Sequence, residues 1–308
     1  MLASPRGSSM LGVKVVVYCK IKGHPHERFQ LGSYMRERVI IKWGGGLITD
    51  KSSLCTPDLE ILEQLAQTIT TCQSNNVDVV LVHGAGSFGH LRSKHWRLNE
   101  GFIPDEVFEN DDKCSSQWEA VHQVRKEMLQ LNSLVCEALL RNNLTPVIHP
   151  PHLWAKNTGP DFLGNLERFH ESKGAQVHVT FGDVVDVEGE QQFGILSGDD
   201  LVARLAIELP HVKRLVFAIK GVDGLLRVPP EQAVESDLIE HWSPDIQFEG
   251  THQSEIDVTG GIGLKAARGS FVASHGIEVI MVNGGRTERV LGAMLGHPVR
   301  GTLVTAKK

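Results

Sequence analysis

The chain has 308 residues, with 31 basic and 37 acidic side chains and a formal charge of −6. That balance excludes a general nucleic-acid binder, which carries a basic excess, but leaves room for a local cationic site that takes a small phosphorylated molecule. With 41% hydrophobic and 22% charged residues the composition is that of a globular protein with a sizeable core; no apolar run reaches the roughly 18 residues of a membrane span, and five cysteines (Cys19, Cys55, Cys72, Cys114, Cys136) without a C-x-x-C pair argue against a disulfide scaffold or structural zinc and for a reducing compartment.

Residues 1–37 differ from the rest. Positions 1–25 hold no acidic residue and carry Arg6, Lys14, Lys20 and Lys22 among several serines. This stretch reads as a poorly ordered leader, with an import sequence as the alternative. From Arg38 onward, apolar strands alternate with glycine loops and helices. Val39–Trp43 is the first strand, ended by Gly44-Gly45-Gly46. Thr56-Pro57 is expected to open a helix whose Leu59, Leu62, Leu65, Ala66 and Ile69 share one face. Val77–His83 is a second buried strand, followed by a second glycine loop, Gly84–Gly89. Residues 99–114 are polar and irregular and read as a lid. The stretch 115–142 predicts a long helix, its apolar Trp118, Val121, Val124, Met128, Leu131, Val135 and Ala138 recurring every three or four positions.

Thr145–Ile148 and Gln176–Phe181 read as further strands. His149 and His152 stand three apart in a Pro-rich stretch, which fits a loop leaving a strand better than a metal pair. Ser197 is expected to cap a helix to about Leu209, with Asp199 and Asp200 in its first turn, where acid suits the helix dipole. A strand over 214–219, a hairpin or extension over 222–240, a helix from Gly260-Gly261 to Ser274, a strand over 278–282, a helix from about Thr287 and a short strand over 301–305 complete the reading. The alternation implies parallel βα units in an α/β fold, an open αβα sandwich with a mainly parallel central sheet.

In parallel sheets ligands bind beyond the carboxyl ends of the strands, and glycine lets backbone N–H groups come close to an anion. Both glycine loops stand at such ends, with Lys42, Lys51 and His90 beside them. Neither is a Walker A sequence, and the G-x-G-x-x-G of Gly84–Gly89 is a weak signal by itself. Lys42 is different in kind: a lysine near the end of a buried strand is costly unless an anion meets it. Lys51 and Lys265 taken singly are compatible with solvated charge, and Asp199 and Asp200 with helix capping.

Taken together, the segments 41–51, His83–His90, 181–184, Ser197-Gly198-Asp199-Asp200, Val222-Asp223-Gly224, 257–261 with Lys265, and Gly301-Thr302 resemble the amino acid kinase superfamily, and within it the isopentenyl phosphate kinases. The resemblance spans about residues 38 to 305, and its specific part is His83–His90. It implies transfer of the γ-phosphoryl group of ATP to isopentenyl phosphate, with ATP and Mg2+ as cofactors, the metal bridging the ATP phosphates with few direct protein ligands. It implies Lys42, Lys51 and Lys265 on the transferring group, His90 on the acceptor phosphate, and Asp199 or Asp200 orienting the lysines. Ala85 and Gly182 are implied at the acceptor, and Gly44, Gly45, Gly46, Gly86, Lys220, Asp223 and Gly224 at the nucleotide. An acceptor-binding half over 38–190, a nucleotide-binding half over 191–308 and a homodimer are expected from the same resemblance; the cysteine usage points to a cytoplasmic location, with organelle import through the leader left open, and the charge and the lack of a long apolar run point to no nucleic-acid or membrane partner.

The departures are Gly46 in place of a serine, Lys220-Gly221 in place of Thr-Asp, and a bulky Trp43. They leave two other functions open: a kinase of another small phosphate or phosphonate, similar to the fosfomycin kinases, and a nucleotide-binding sensor without turnover.

Overall fold

The structure is a computed structural model that describes residues 36–50, 53–104, 113–246 and 261–307. The expected leader lies outside the described residues as far as position 35, and so do residues 105–112 of the expected lid. The leader's last two positions belong to the fold. Arg36 pairs with Asp78 at 3.1 Å, and Glu37 opens the first strand.

The elements in chain order are β1 (Glu37–Trp43), a short α1 (Gly45–Ile48), α2 (Leu59–Ser74), β2 (Val77–His83), α3 (His90–His95), α4 (Gln117–Arg141) and β3 (Thr145–Ile148). They continue with β4 (Ala155–Lys156), β5 (Leu163–Gly164), β6 (Gln176–Phe181), β7 (Asp183–Asp186), β8 (Phe193–Leu196), α5 (Gly198–Glu208) and β9 (Val212–Ile219). The last are β10 (His241–Trp242), α6 (Ile262–Ala273), β11 (Glu278–Asn283), α7 (Thr287–Leu295) and β12 (Thr302–Val304).

Eight strands form the central sheet in the order β10-β12-β11-β9-β1-β2-β6-β3. All neighbours are parallel except β11 and β12. The apolar runs of the inner strands are buried on both faces, and their side chains alternate between two layers. Val39, Ile41, Trp43, Val79 and Leu81 pack with α2, α4 and α7. Ile40, Val80, Val82, Leu215 and Phe217 pack with α5 and α6. This is the open αβα sandwich that the alternating pattern predicts. A second sheet, ordered β5-β4-β7-β8, lies outside that prediction because two of its strands are only two residues long.

Local signals explain the boundaries. The helix expected at Thr56-Pro57 begins instead at Leu59, because the Asp58 side chain accepts from Ile61 N–H, while Pro57 pairs with Thr49 in a bridge. Ser116 and Ser197 cap α4 and α5 in the same way. Residues 222–240 carry a single antiparallel bridge, Leu226 to Leu238, rather than a full hairpin.

Chain order places β2 and β6 on one side of β1 and β9 and β11 on the other. The end of β1 is therefore a switch point, where crossovers leave in opposite directions and open a crevice. The register brings Trp43, His83, Phe181 and Ala218 level at that end.

Candidate functional site

A cleft of about 360 Å³ occupies this end of the sheet. Its floor is charged. Lys42, the penultimate residue of β1, reaches Asp199 at 2.5 Å, and Lys265 in the first turn of α6 meets the other Asp199 oxygen at 3.4 Å. Asp199 is fully buried and Lys42 almost so. Asp199 is held there because Ser197 Oγ accepts its backbone N–H and because a carboxylate suits the first turn of α5. Burial pulls the Lys42 ammonium down to about 8, against the pull of Asp199 in the other direction. Sequence spacing left Asp199 and Asp200 equivalent, but their partners differ. Asp200 turns to Arg268, whose Nε lies 2.6 Å from its carboxylate. Burial pushes the Asp200 carboxyl up, and the guanidinium opposes that shift.

The two glycine loops form one wall. Gly44 N–H donates to Ala218 O, Gly84 N–H to Trp43 O and Gly182 N–H to His83 O, so each loop hangs from the neighbouring strand. The loops also touch one another through backbone. A Cβ on Gly45 would lie 2.2 Å from Gly86 N, and one on Gly84 2.6 Å from Gly45 N. No side chain fits at either position. Gly44, Gly45, Gly46, Gly86, Ala85 and Gly182 all line the cleft. Under the second loop, His83 is wholly buried, with its ring nitrogens beside Gly84 O and Asn132 Oδ1 and its face on Phe181. Burial lowers its pKa to about 4, so it is neutral at ordinary pH.

The two ends of the cleft differ in chemistry. At one end His90, the first residue of α3, stands with Val124 and Met128 of α4 and with Val184 and Ile195. The periodicity of α4 identifies its apolar stripe but not which members of it reach the cleft. Trp118, on the same stripe, packs against Phe193 instead. At the other end are Lys220, Gly221, Val222, Gly224 and Leu225. Asp223, expected at the nucleotide, does not line the cleft; it pairs with Arg289 at 2.5 Å and Arg300 at 2.7 Å. Lys51 lies outside the described residues.

Arg268 escaped the sequence reading because a lone arginine on a helix carries no signal until its partner is known. Among the described residues, no three His, Cys, Asp or Glu side chains are grouped to hold a metal ion. His149 is bonded to His178 at 2.8 Å and His152 to Asp183 at 2.6 Å. Among the described residues Cys55, Cys72, Cys114 and Cys136 form no disulfide with one another, and no helix is long and apolar enough to cross a membrane.

The model of the amino acid kinase family matches residues 37–283. The chain is 28% identical over 277 residues to the isopentenyl phosphate kinase of Methanothermobacter thermautotrophicus, covering 87% of this chain and 99% of that protein. It is 28% identical over 253 residues to the isopentenyl phosphate kinase of Thermoplasma acidophilum, covering 82% and 94%. An X-ray structure of an isopentenyl phosphate kinase superposes with a TM-score of 0.70 at 25% identity, over 87% of this chain and all of the other.

Proposed function

Since the chain belongs to the amino acid kinase family, we propose that it transfers the γ-phosphoryl group of ATP to isopentenyl phosphate, yielding isopentenyl diphosphate and ADP. The observation that carries this reading is the pair of lysines held on one buried carboxylate, Lys42–Asp199–Lys265, beside the two glycine loops at the switch point. The relatives named isopentenyl phosphate kinase support the choice of acceptor, as does the apolar wall of Val124, Met128 and Ile195 beside His90.

The chemistry needs little more. A phosphate monoester has a second pKa of roughly 6, so near neutral pH its oxygen is already a dianionic nucleophile and no general base is required. The obstacle is to bring two anions together, and catalysis is positioning and charge neutralisation. Lys42 and Lys265 neutralise the transferring group, with Lys51 in support, and Asp199 fixes the spacing between Lys42 and Lys265. His90 donates to the acceptor phosphate, beside Ala85 and Gly182. The amides of Gly44, Gly45, Gly46 and Gly86 meet the donor phosphates. Lys220 and Gly224 border the nucleotide, and Asp223 acts behind that loop rather than on the ligand.

Magnesium fits as a companion of the nucleotide rather than as a resident of a carboxylate cage, since Asp199 is committed to two lysines and Asp183 to His152. When bound, the ion neutralises phosphate charge. Acceptor recognition falls to residues 38–190 and nucleotide recognition to 191–308. Exposed Leu129 and Leu140 of α4 and Ile148 of the edge strand β3 support a homodimer through the first half. A cytoplasmic location completes the reading.

ADP release with MgATP and isopentenyl phosphate, beside a His90→Ala variant and a panel of other small phosphates and phosphonates, tests it. Turnover with isopentenyl phosphate that collapses in the variant is expected. ATP binding without turnover on any acceptor would overturn it, and preference for another acceptor would replace the substrate.

A further inference from the structure

Besides their backbone contact, the two glycine loops share a hydrogen-bonded hydroxyl. Thr49 is fully buried at the end of α1. Its Oγ1 donates to Gly45 O at 2.8 Å and accepts the Ser87 N–H at 3.0 Å. Gly45 belongs to the first loop and Ser87 to the second. The chain around Thr49 is tied to Ser87 three times more, since Ser87 Oγ accepts Thr56 N–H at 3.1 Å and donates to Thr56 O at 3.4 Å, and Ser87 O accepts Cys55 N–H at 3.1 Å. A Cβ on Gly86 would collide with the Thr49 hydroxyl, so the threonine fills the space that Gly86 leaves open.

We propose that Thr49 is a positioning residue for phosphoryl transfer, whose hydroxyl fixes the distance between the first glycine loop, which meets only the donor phosphates, and the second, which carries Ala85 and leads into His90 at the acceptor phosphate. The inference rests on the kinase reading above. Each loop keeps its own amides without Thr49, so each substrate still binds. What the hydroxyl adds is their mutual spacing, on which in-line transfer depends far more steeply than binding does. A threonine also suits the place physically. One O–H can donate and accept at once, and without it two buried backbone groups lose a partner.

The test compares Thr49→Val, which keeps the shape and removes the hydroxyl, with Thr49→Ser, which keeps the hydroxyl. In Thr49→Val, kcat should fall roughly 10- to 100-fold, while Kd for a non-hydrolysable ATP analogue and Kd for isopentenyl phosphate, measured separately, stay within about three-fold. Thr49→Ser should recover most of kcat. Wild-type kcat in Thr49→Val, equal losses in both variants, or affinities that fall in step with kcat would overturn the proposal. If Thr49→Val does not fold, hydrogen exchange on the wild type decides. Isopentenyl phosphate alone should slow exchange in the peptide that carries Gly45 and Gly46, and unchanged exchange there would overturn the proposal. Absence of turnover in the wild type would instead overturn the kinase reading, so the two failures are distinct.

Discussion

Lys42 Nζ stands 2.5 Å from Asp199 Oδ1, with both side chains withdrawn from solvent. Burial alone drives the lysine toward its neutral form, and the carboxylate is what keeps it charged. A neutral Lys42 does nothing for a phosphoryl group. In the free enzyme the group titrates at about 8, so kcat/KM should fall as pH rises through that value. Asp199→Asn removes the supporting charge and lowers the lysine further. We expect kcat to drop roughly 100- to 1000-fold and the alkaline limb to move to lower pH. A pH–rate profile of both proteins checks this, and an unmoved limb would refute it.

How far this site was legible differs from residue to residue. Lys42 announced itself, because a buried strand does not tolerate a lysine without a partner. The glycine loops did so because clustered glycines at strand ends serve close backbone approach, and the structure shows Gly45 and Gly86 in backbone contact. The division between Asp199 and Asp200 was not legible. Adjacent residues on a helix face about 100° apart, and which of them meets Lys42 depends on how α5 sits against β1. The partners of Asp223 were not legible for a related reason. Its motif places it in the nucleotide loop, yet its side chain turns to arginines from α7 and from the stretch before β12. Those are contacts between segments remote in sequence, and no local pattern encodes them. The small second sheet was missed because two-residue strands leave no period to detect.

Arg268 follows Lys265 by three positions on α6, and the two pair with consecutive aspartates of α5. The helix pair is thereby docked at two points, and the second sets where Lys265 stands. Arg268→Ala leaves a nearly buried Asp200 without its cation, at a cost of about 1–3 kcal/mol. A lower melting temperature and a kcat reduced roughly ten-fold are expected. Adding Asp200→Asn to Arg268→Ala should cost less than the two single changes sum to, since the orphaned charge disappears with it. A double-mutant cycle in thermal stability measures this, and strict additivity would remove Arg268 from the docking role.

Asp223 joins Arg289 and Arg300 to the loop that carries Val222 and Gly224 into the cleft. Arg300 also donates to Glu235 O at 3.0 Å, so the node holds both ends of the 222–240 excursion. Asp223→Asn should raise KM for ATP about ten-fold, equivalent to ~1.4 kcal/mol, with kcat and the KM for the acceptor little altered. The node is partly exposed, so salt should weaken wild-type ATP affinity in the same direction. Initial rates at varied ATP and ionic strength check both, and a loss confined to the acceptor KM would contradict the assignment.

Val124 and Met128 close the apolar end of the cleft against Gly89, where a Cβ would lie 3.2 Å from Val124 Cγ1 and 3.3 Å from Met128 Sδ. The contact leaves no slack, so the wall should limit the acceptor's chain. Met128→Ala should lower kcat/KM for isopentenyl phosphate several-fold and raise it for a phosphate with a ten-carbon prenyl chain. Each newly buried methylene is worth about 0.8 kcal/mol at most. Parallel assays with the two acceptors decide the matter; an equal loss on both would mean that Met128 supports the fold rather than the length limit.

His83 supplies a stability signature independent of turnover. Its ring is wholly buried beneath the second glycine loop, and its pKa falls to about 4 from an ordinary value of 6.5 because burial opposes the charge. Between those two values the unfolded chain binds a proton that the folded chain does not. Folding stability from this group is therefore fully present above pH 6.5, is lost as pH falls toward 4, and changes no further below it. The loss is about 3 kcal/mol at 1.36 kcal/mol per pH unit. Urea unfolding at a series of pH values should show the slope, and His83→Gln, which does not titrate, should be less stable at neutral pH but flatter across that window. Equal slopes in the two proteins would mean that other groups carry the acid sensitivity.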